Sequence, residues 1–219
     1  MRSIQVLNPN AKFAGIGGSQ MTMVGLKSIE AIDKLAVMGF VEVIKHLFFF
    51  KKLVDKVLEK IQSVQPIQII LIDYPGFNLR LAKKIKKYFN IPITYYISPQ
   101  LWAWKENRIE IIKRCVDQML VIFPFEENWY KKRGVQVKFV GHPIFDEWTP
   151  TPKHDLCKLL RLNPNKPILT LFPGSRKQEL IRHLPLFVHV AEKLRNKNPQ
   201  IQFILGLSHE LNLDHFSIP

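Results

Sequence analysis

The sequence predicts an α/β fold: a Rossmann-type parallel β-sheet domain followed by the beginning of a second domain of the same kind. Short apolar runs alternate along the chain with amphipathic segments of helical spacing, which is typical of a parallel sheet covered by helices on both faces. The 219 residues are 47% hydrophobic and 23% charged, a balance that excludes a disordered or collagen-like chain. A proline-rich segment at 143–152 suggests the domain boundary, with residues 1–148 before it and residues 149–219 after it.

Each predicted element follows from its local pattern. The 12–16 run is short, apolar and closed by two glycines, whereas the 41–64 segment carries apolar residues at helical spacing. The 77–89 segment has apolar residues on one side and lysines on the other, as expected of a surface helix. In chain order, the predicted strands are 12–16, 67–72, 91–97, 118–123, 138–140, 168–172 and 201–205, and the predicted helices are 41–64, 77–89, 105–114, 125–133 and 177–196.

Composition limits the classes of partner. The chain has 32 Lys and Arg against 18 Asp and Glu, a net charge of +14, which favours an anionic partner or reflects a basic proteome. No sequence signature of nucleic-acid binding accompanies this charge, so we expect none. The two cysteines, Cys115 and Cys157, are too few for a disulfide framework and favour a reducing cytosolic setting. We see neither a membrane-spanning segment nor a signal peptide.

The candidate functional residues follow predicted strands, because ligands of open α/β sheets bind beyond the carboxyl ends of the strands. Asp73 follows the 67–72 strand and precedes a Pro-Gly turn, where its carboxylate is placed to accept a proton from an attacking hydroxyl. The alternative is that Asp73 or Asn78 merely caps the next helix.

A Gly174-Ser175-Arg176 turn follows the 168–172 strand and precedes a helix. Backbone N–H groups at such a turn bind anions, and Arg176 adds a bidentate contact to phosphate. An ordinary strand–helix turn with a capping serine is the alternative. The glycine-rich 15–19 segment is a weaker indication of nucleotide binding, since it lacks the full dinucleotide-binding pattern.

Two further loops carry residues suited to a ligand pocket. His142 follows the 138–140 strand, and Trp102 and Trp104 lie in the loop after the 91–97 strand. Tryptophans there line a sugar or acyl pocket or fill the gap between loops and helices. A lone histidine is more often structural than functional.

The 37–52 segment is more apolar than one core-facing stripe requires. Three consecutive phenylalanines, Phe48, Phe49 and Phe50, point in different directions around a helix, and lysines flank them. Contact with a membrane surface explains this pattern, and so does a helix buried between domains.

These motifs together resemble one family, the lipid-A-disaccharide synthases, which are inverting glycosyltransferases of the GT-B type. The resemblance runs from about residue 11 to residue 205. It is carried, in the family's order and spacing, by AGIGG at 14–18, LAVMGFVEV at 35–43, DYPGFN at 73–78, YISPQLWAW at 96–104, FPFE at 123–126, GHP at 141–143 and PGSR at 173–176.

The resemblance implies two Rossmann-like domains facing a cleft, the first for the acceptor and the membrane and the second for the nucleotide sugar. It implies transfer of 2,3-diacylglucosamine from UDP to 2,3-diacylglucosamine 1-phosphate, forming a β-1,6-linked disaccharide without a cofactor or a metal. The setting would be the cytoplasmic face of the anionic inner membrane, with the protein bound peripherally.

The resemblance also implies roles for individual residues. Asp73 would be the catalytic base, although some relatives carry a second acid where this chain has Gly76. The donor phosphates would contact Gly174, Ser175, Arg176 and Glu179. The acceptor or sugar pocket would contain Gly17, Gly18, Asn78, Ser98, Trp102 and His142. Membrane contact would involve Met38, Phe40, Phe48, Phe49, Phe50, Lys51 and Lys52.

Two departures from the family pattern are evident. The family's opening strand and Gly-Glu-x-Ser-Gly-Asp loop have no counterpart here, and most of the nucleotide-binding domain would follow residue 219. We therefore expect a fragment truncated at both ends, weakly active or inactive alone. Three origins stay open: a truncated reading frame, one part of a split gene whose complementary chain supplies the missing segments, or a part of a longer protein. The alternatives are another UDP-sugar enzyme of the GT-B type and a non-catalytic membrane-binding remnant.

Overall fold

The computed structural model describes residues 1–31 and 43–208. The chain divides into two compact units, Met1–Glu147 and Trp148–Pro219.

The first unit opens with a small parallel sheet. Its elements are helix α1 (Arg2–Leu7), strand β1 (Phe13–Gly17), helix α2 (Ser19–Met23) and strand β2 (Leu26–Ala31). Strands β1 and β2 pair in parallel, with an irregularity in register between Gly15 and Ile16. Strand β1 was expected from the sequence, whereas α2 and β2 were not. The hydrophobic pattern of β2 is weak, and its pairing with β1 is what makes it a strand.

Four parallel strands form the central sheet of this unit. They are β3 (Ile69–Ile72), β4 (Ile93–Tyr96), β5 (Gln118–Val121) and β6 (Val137–Phe139), and their order in the sheet is their order in the chain. Leu71 lies opposite Tyr95, Tyr95 opposite Met119, and Met119 opposite Val137. Because all four strands run in parallel, their carboxyl ends and the loops that follow them share one edge.

Helices precede, connect and follow these strands. They are α3 (Val43–Val64), α4 (Pro75–Tyr88), α5 (Ile109–Cys115), which follows a 3₁₀ turn at Glu106–Arg108, α6 (Pro124–Lys131) and α7 (Ile144–Glu147). Helix α4 begins with proline in its first turn, where the missing N–H costs nothing, and ends with Lys86 and Lys87 beside its last carbonyls. Its apolar stripe, including Leu81 and Ile85, is buried against the sheet, as the spacing predicted.

The core lies between this sheet and its helices. Ile93, Tyr95 and Met119 on the central strands are completely buried, and so are Ile85 of α4 and Ile112 of α5. Burying a large apolar side chain stabilises the folded state by roughly 1.5–3 kcal/mol. This is the main favourable contribution to the stability of such a core. Both cysteines are free and buried.

The second unit contains helix α8 (Lys153–Leu159), strand β7 (Ile168–Leu171), helix α9 (Lys177–Lys197) and strand β8 (Gln202–Leu205). Strands β7 and β8 pair in parallel, so the unit has the strand–helix–strand pattern expected from the sequence. Leu180 and Leu184, one turn apart on α9, are almost completely buried. Helix α8 was not expected, because it begins directly after the proline-rich segment.

Candidate functional site

Asp73 lies immediately after β3, on the edge of the sheet where the strands end. Its amide donates a hydrogen bond to the Tyr96 carbonyl on the neighbouring strand, at 2.9 Å, and its side chain is exposed. Asp73 and Tyr74 have φ angles of 45° and 46°, in the left-handed region that residues other than glycine rarely adopt. The loop therefore presents a solvent-accessible carboxylate on a strained piece of backbone.

Two buried side chains hold this loop through the Asp73 carbonyl. The Tyr95 hydroxyl donates to the carbonyl oxygen at 2.6 Å, and the Asn78 amide donates to the same oxygen at 2.7 Å. The Asn78 amide also donates to the Ile72 carbonyl at 3.0 Å. Asn78 was predicted to line the acceptor pocket. Its side-chain nitrogen already donates to two loop carbonyls. Contact with the acceptor therefore stays a prediction for the side-chain oxygen alone.

The loop after β4 carries Ser98 and Trp102. Ser98 is buried, and its Oγ makes no hydrogen bond of adequate geometry, although it lies close to the Tyr130 hydroxyl. Trp102 is 41% exposed, and its indole N–H donates to Glu126 Oε1 at 3.0 Å. The Tyr130 hydroxyl donates to the Pro99 carbonyl at 2.7 Å, which fixes the loop from below.

Glu126 is a residue whose role the sequence did not reveal. It is 1% exposed, and besides Trp102 it accepts a hydrogen bond from the Phe123 N–H at 3.4 Å. Its charge adds to burial, the larger cause, in raising the pKa of Tyr130. A glutamate three residues after Phe123, at the start of a helix, is the pattern that predicts its hydrogen bond with the Phe123 N–H. Nothing in the sequence predicts its contact with Trp102.

His142 follows β6 and belongs to a row of aromatic rings along the same edge. Its Nδ1 accepts a hydrogen bond from the Ile144 N–H at 3.2 Å, and its ring lies 5.9 Å from Phe123 and 6.3 Å from Phe145. Phe123 in turn stacks on Phe125, whose ring meets the edge of Trp102. The structure therefore connects Trp102 with His142 through two phenylalanines.

Gly17 and Gly18 lie at the end of β1, in the small sheet. A Cβ on Gly17 would approach the Leu26 and Met21 side chains to 2.5 and 2.7 Å, so the glycine permits close packing of the chain on itself. The Gly18 carbonyl accepts hydrogen bonds from Met21 and Thr22 of α2. A role for either glycine in the acceptor pocket stays a prediction.

The phenylalanine-rich helix contacts the Asp73 loop. Phe50 of α3 lies with its ring 6.4 Å from the Tyr74 ring and 5.8 Å from the Phe77 ring. Phe49 and Phe50 are half-buried against the core, whereas Lys51 and Lys52 are exposed. Met38, Phe40 and the Phe48 side chain lie outside the described residues.

In the second unit, the Gly174–Arg176 turn leads into α9. The Ser175 and Arg176 amides donate to Glu179 Oε2 at 3.0 and 3.2 Å, and the Arg176 guanidinium lies 3.4 Å from Glu179 Oε1. These bonds, the Ser175 bond first, hold the pKa of Glu179 below its usual range. Gly174 has a φ of 122°, and a Cβ there would lie 2.6 Å from Glu179. The turn thus binds a carboxylate from its own helix.

Other features of the described residues do not add to these sites. Over residues 1–31 and 43–208 no cluster of three metal-ligating side chains occurs, and no helix there combines the length and apolarity needed to cross a bilayer. A cavity of about 290 Å³ between the end of α3 and the loop after α4 is lined by Gln65, Tyr88 and Asn90 among others. It lies where the strands begin, at the edge opposite Asp73.

Comparison with known proteins gives a consistent result. The family model described as LpxB, lipid-A-disaccharide synthetase, matches residues 1–216. Lipid-A-disaccharide synthase of Coxiella burnetii is 42% identical over 214 residues, which are 97% of this chain and 57% of the relative. Lipid-A-disaccharide synthase 1 of Legionella pneumophila is 41% identical over 98% of this chain and 56% of its own length. This chain thus spans just over half the length of these relatives.

Among solved structures, sucrose-phosphate synthase from Thermosynechococcus elongatus aligns with a TM-score of 0.52 at 15% identity. The alignment covers 74% of this chain and 50% of that one. At this identity the match is informative about fold alone. It confirms the predicted fold class, a parallel-sheet α/β architecture like that of the GT-B glycosyltransferases.

Proposed function

We propose, from the premise that this chain belongs to the lipid-A-disaccharide synthase family, that it takes part in glycosyl transfer between two lipid-linked glucosamines. The donor would be UDP-2,3-diacylglucosamine, the acceptor 2,3-diacylglucosamine 1-phosphate and the product their β-1,6-linked disaccharide. The observation that carries the proposal is the exposed Asp73 carboxylate, held on a strained loop at the carboxyl edge of the parallel sheet.

Asp73 would act as the general base. As the acceptor 6-hydroxyl oxygen attacks C1 of the donor sugar, its proton passes to the Asp73 carboxylate. The new O6–C1 bond forms on the face opposite the breaking bond between C1 and the diphosphate oxygen, so the configuration at C1 inverts. The electron pair of the broken bond leaves with UDP.

The departing diphosphate needs positive charge and hydrogen-bond donors, for which the Gly174–Arg176 turn is suited. The Ser175 and Arg176 N–H groups of that turn are bound to the Glu179 carboxylate. Two anions do not share the same N–H groups favourably, so donor binding would displace the Glu179 side chain. This makes Glu179 a competitor of the diphosphate more than a ligand of it.

The acyl chains of both substrates require the protein to meet a membrane. Lys51 and Lys52 are exposed on α3, and Phe50 of the same helix touches Tyr74 beside the proposed base. An anionic membrane surface attracts such lysines, by about 1 kcal/mol each. Approach of α3 to the surface would bring the acceptor hydroxyl towards Asp73.

Membrane binding is tested by sedimentation with vesicles of phosphatidylglycerol and phosphatidylethanolamine. The double substitution of Lys51 and Lys52 by Gln should weaken binding and reduce its salt dependence. The matched control replaces Lys83 and Lys84, which are exposed on α4, by Gln. Equal effects of the two double variants would mean that net charge, and not α3, governs binding.

The catalytic proposal is tested with the Asp73→Asn variant. The protein is purified from its native host and assayed with both substrates in detergent micelles. Disaccharide formation should fall by at least about 100-fold, since general-base catalysis contributes that much or more. Vesicle binding and the free energy of unfolding should not change. Full activity of Asp73→Asn would refute the assignment. Transfer from a non-acylated UDP-sugar alone would favour another glycosyltransferase, and vesicle binding without turnover of any UDP-sugar would favour a binding remnant.

A further inference from the structure

The Asp73 loop has a backbone conformation that is unfavourable by itself. Two consecutive residues other than glycine, Asp73 and Tyr74, have φ angles near +45°, and Pro75 follows them. Such backbone persists only where surrounding contacts hold it. Without those contacts, Asp73 would relax to a negative φ, which would change the direction of its Cα–Cβ bond and carry the carboxylate elsewhere.

Besides the bond from the Asp73 N–H to the Tyr96 carbonyl, two side-chain contacts oppose this relaxation, and both are made to the Asp73 carbonyl oxygen. Tyr95 reaches it from β4 at 2.6 Å and Asn78 reaches it from the first turn of α4 at 2.7 Å. Tyr95 is completely buried, and its backbone is fixed between Leu71 and Met119 in the sheet. The donor is therefore attached to a buried strand that is paired on both sides.

The Tyr95 hydroxyl is a permanent donor. Burial, and secondly the charge of Asp73, raise the pKa of the phenol well above its ordinary value. The phenol thus remains protonated throughout the physiological pH range, and its hydroxyl stays available as a donor to the Asp73 carbonyl.

We propose that Tyr95 is a positioning residue for the Asp73 base: its hydroxyl, donated to the Asp73 carbonyl, keeps the strained loop in the conformation that aims the carboxylate. This inference rests on the proposed function of Asp73. Tyr95 is completely buried, so it would act through the loop and not by contact with substrate. Its hydrogen bond raises the fraction of molecules in which the loop holds the base in the correct position.

The test is Tyr95→Phe, which removes the hydroxyl oxygen alone and leaves the packing of the ring intact. Loss of one hydrogen bond of typical net strength lowers the ratio of correctly placed to relaxed loops by about 5- to 10-fold. We therefore expect kcat to fall measurably, by at most about 10-fold, and KM to stay within about 2-fold. In Asp73→Asn, where no base remains to be aimed, Tyr95→Phe should have almost no further effect on kcat.

Tyr130→Phe is the matched control. Tyr130 is also completely buried, and its hydroxyl likewise donates to a backbone carbonyl after a strand, that of Pro99 at 2.7 Å. Its effect on the free energy of unfolding should resemble that of Tyr95→Phe. Its effect on kcat, whatever its size, should persist in the Asp73→Asn background.

Hydrogen exchange supplies a readout that does not depend on activity. The Asp73 N–H is bonded to the Tyr96 carbonyl in the strained conformation, so its exchange should accelerate by about 5- to 10-fold in Tyr95→Phe and not in Tyr130→Phe. Unchanged kcat with unchanged exchange in Tyr95→Phe would overturn the inference, while an inactive Asp73→Asn would leave the proposed function standing. An active Asp73→Asn would instead overturn the proposed function.

Discussion

Replacing Gly174 by alanine should destabilise the second unit strongly. The φ of 122° at Gly174 lies in a region that side chains rarely adopt, and holding a residue there costs about 1–3 kcal/mol. The added Cβ would also lie 2.6 Å from the Cβ and Oε2 atoms of Glu179, well inside van der Waals contact. Glu179 must then leave the Ser175 and Arg176 amides, so the first turn of α9 loses its cap.

Two other glycines separate these contributions. At Gly76, in the first turn of α4, a Cβ meets nothing within 4 Å, and alanine should stabilise its unit by about 0.5–1 kcal/mol. Gly134 has a φ of 74° and equally open surroundings, so alanine there should cost about 1 kcal/mol from backbone conformation alone. The loss at Gly174 should exceed that at Gly134 because only Gly174 adds a clash.

The assay is hydrogen exchange measured by mass spectrometry over a series of urea concentrations. It reports the free energy of opening of each unit separately, which a single transition for a two-unit chain does not. A Gly174→Ala variant as stable as Gly76→Ala would refute the reasoning about backbone conformation. A loss no greater than that at Gly134 would refute the packing of Glu179 against the turn.

Two further predictions concern carboxylates with lowered pKa values. The depressed pKa of Glu179 means that its contribution to stability is present above its unfolded value of 4.5 and is lost as pH falls through the lower, folded value. Below pH 4.5, α9 should therefore lose protection from hydrogen exchange in the wild type but not in Glu179→Gln; identical pH profiles would contradict this. Burial acts to raise the pKa of Asp117, but hydrogen bonds from Lys86 at 2.7 Å and the Ile93 N–H at 2.6 Å outweigh it and lower the pKa. In urea unfolding, Asp117→Asn should lower the free energy of unfolding by about 1 kcal/mol, since the site is half-exposed. Asp117→Ala should lower it by about 2 kcal/mol, because the Ile93 N–H also loses its acceptor. Equal losses in the two variants would mean that the bond to the Ile93 N–H contributes little.

Hydrophobic periodicity was sufficient to predict most of the fold. The run before Asp73 and the lysine-flanked stripe after it became β3 and α4, close to their predicted limits. Strand β2 was missed because Leu26–Ala31 has little apolar alternation, and its parallel pairing with β1 determines its conformation. The predicted positions of Asp73 and the Gly174 turn after strands likewise follow from the rule that parallel strands end at one edge.

The contacts within the candidate sites divide by their separation along the chain. Glu179 binds N–H groups three and four residues before it, a distance within reach of a capping motif that the sequence displays. Tyr95 is 22 residues from Asp73, and Glu126 is 24 residues from Trp102. No nearby sequence pattern predicts either pair, because the hydrogen-bond partner of a buried hydroxyl or carboxylate is whichever group the fold places beside it.

The sequence by itself therefore determined where most of the elements lie, the family, and the acid that follows β3, since each depends on residues near one another in the chain. Only the tertiary structure decided how that acid is held. The parallel register that places Tyr95 opposite Leu71 brings its hydroxyl to the Asp73 carbonyl, and the same sheet edge brings Glu126 to Trp102. Side-chain partners of this kind depend on strand register and on the closure of loops, and both are settled only when the core is packed.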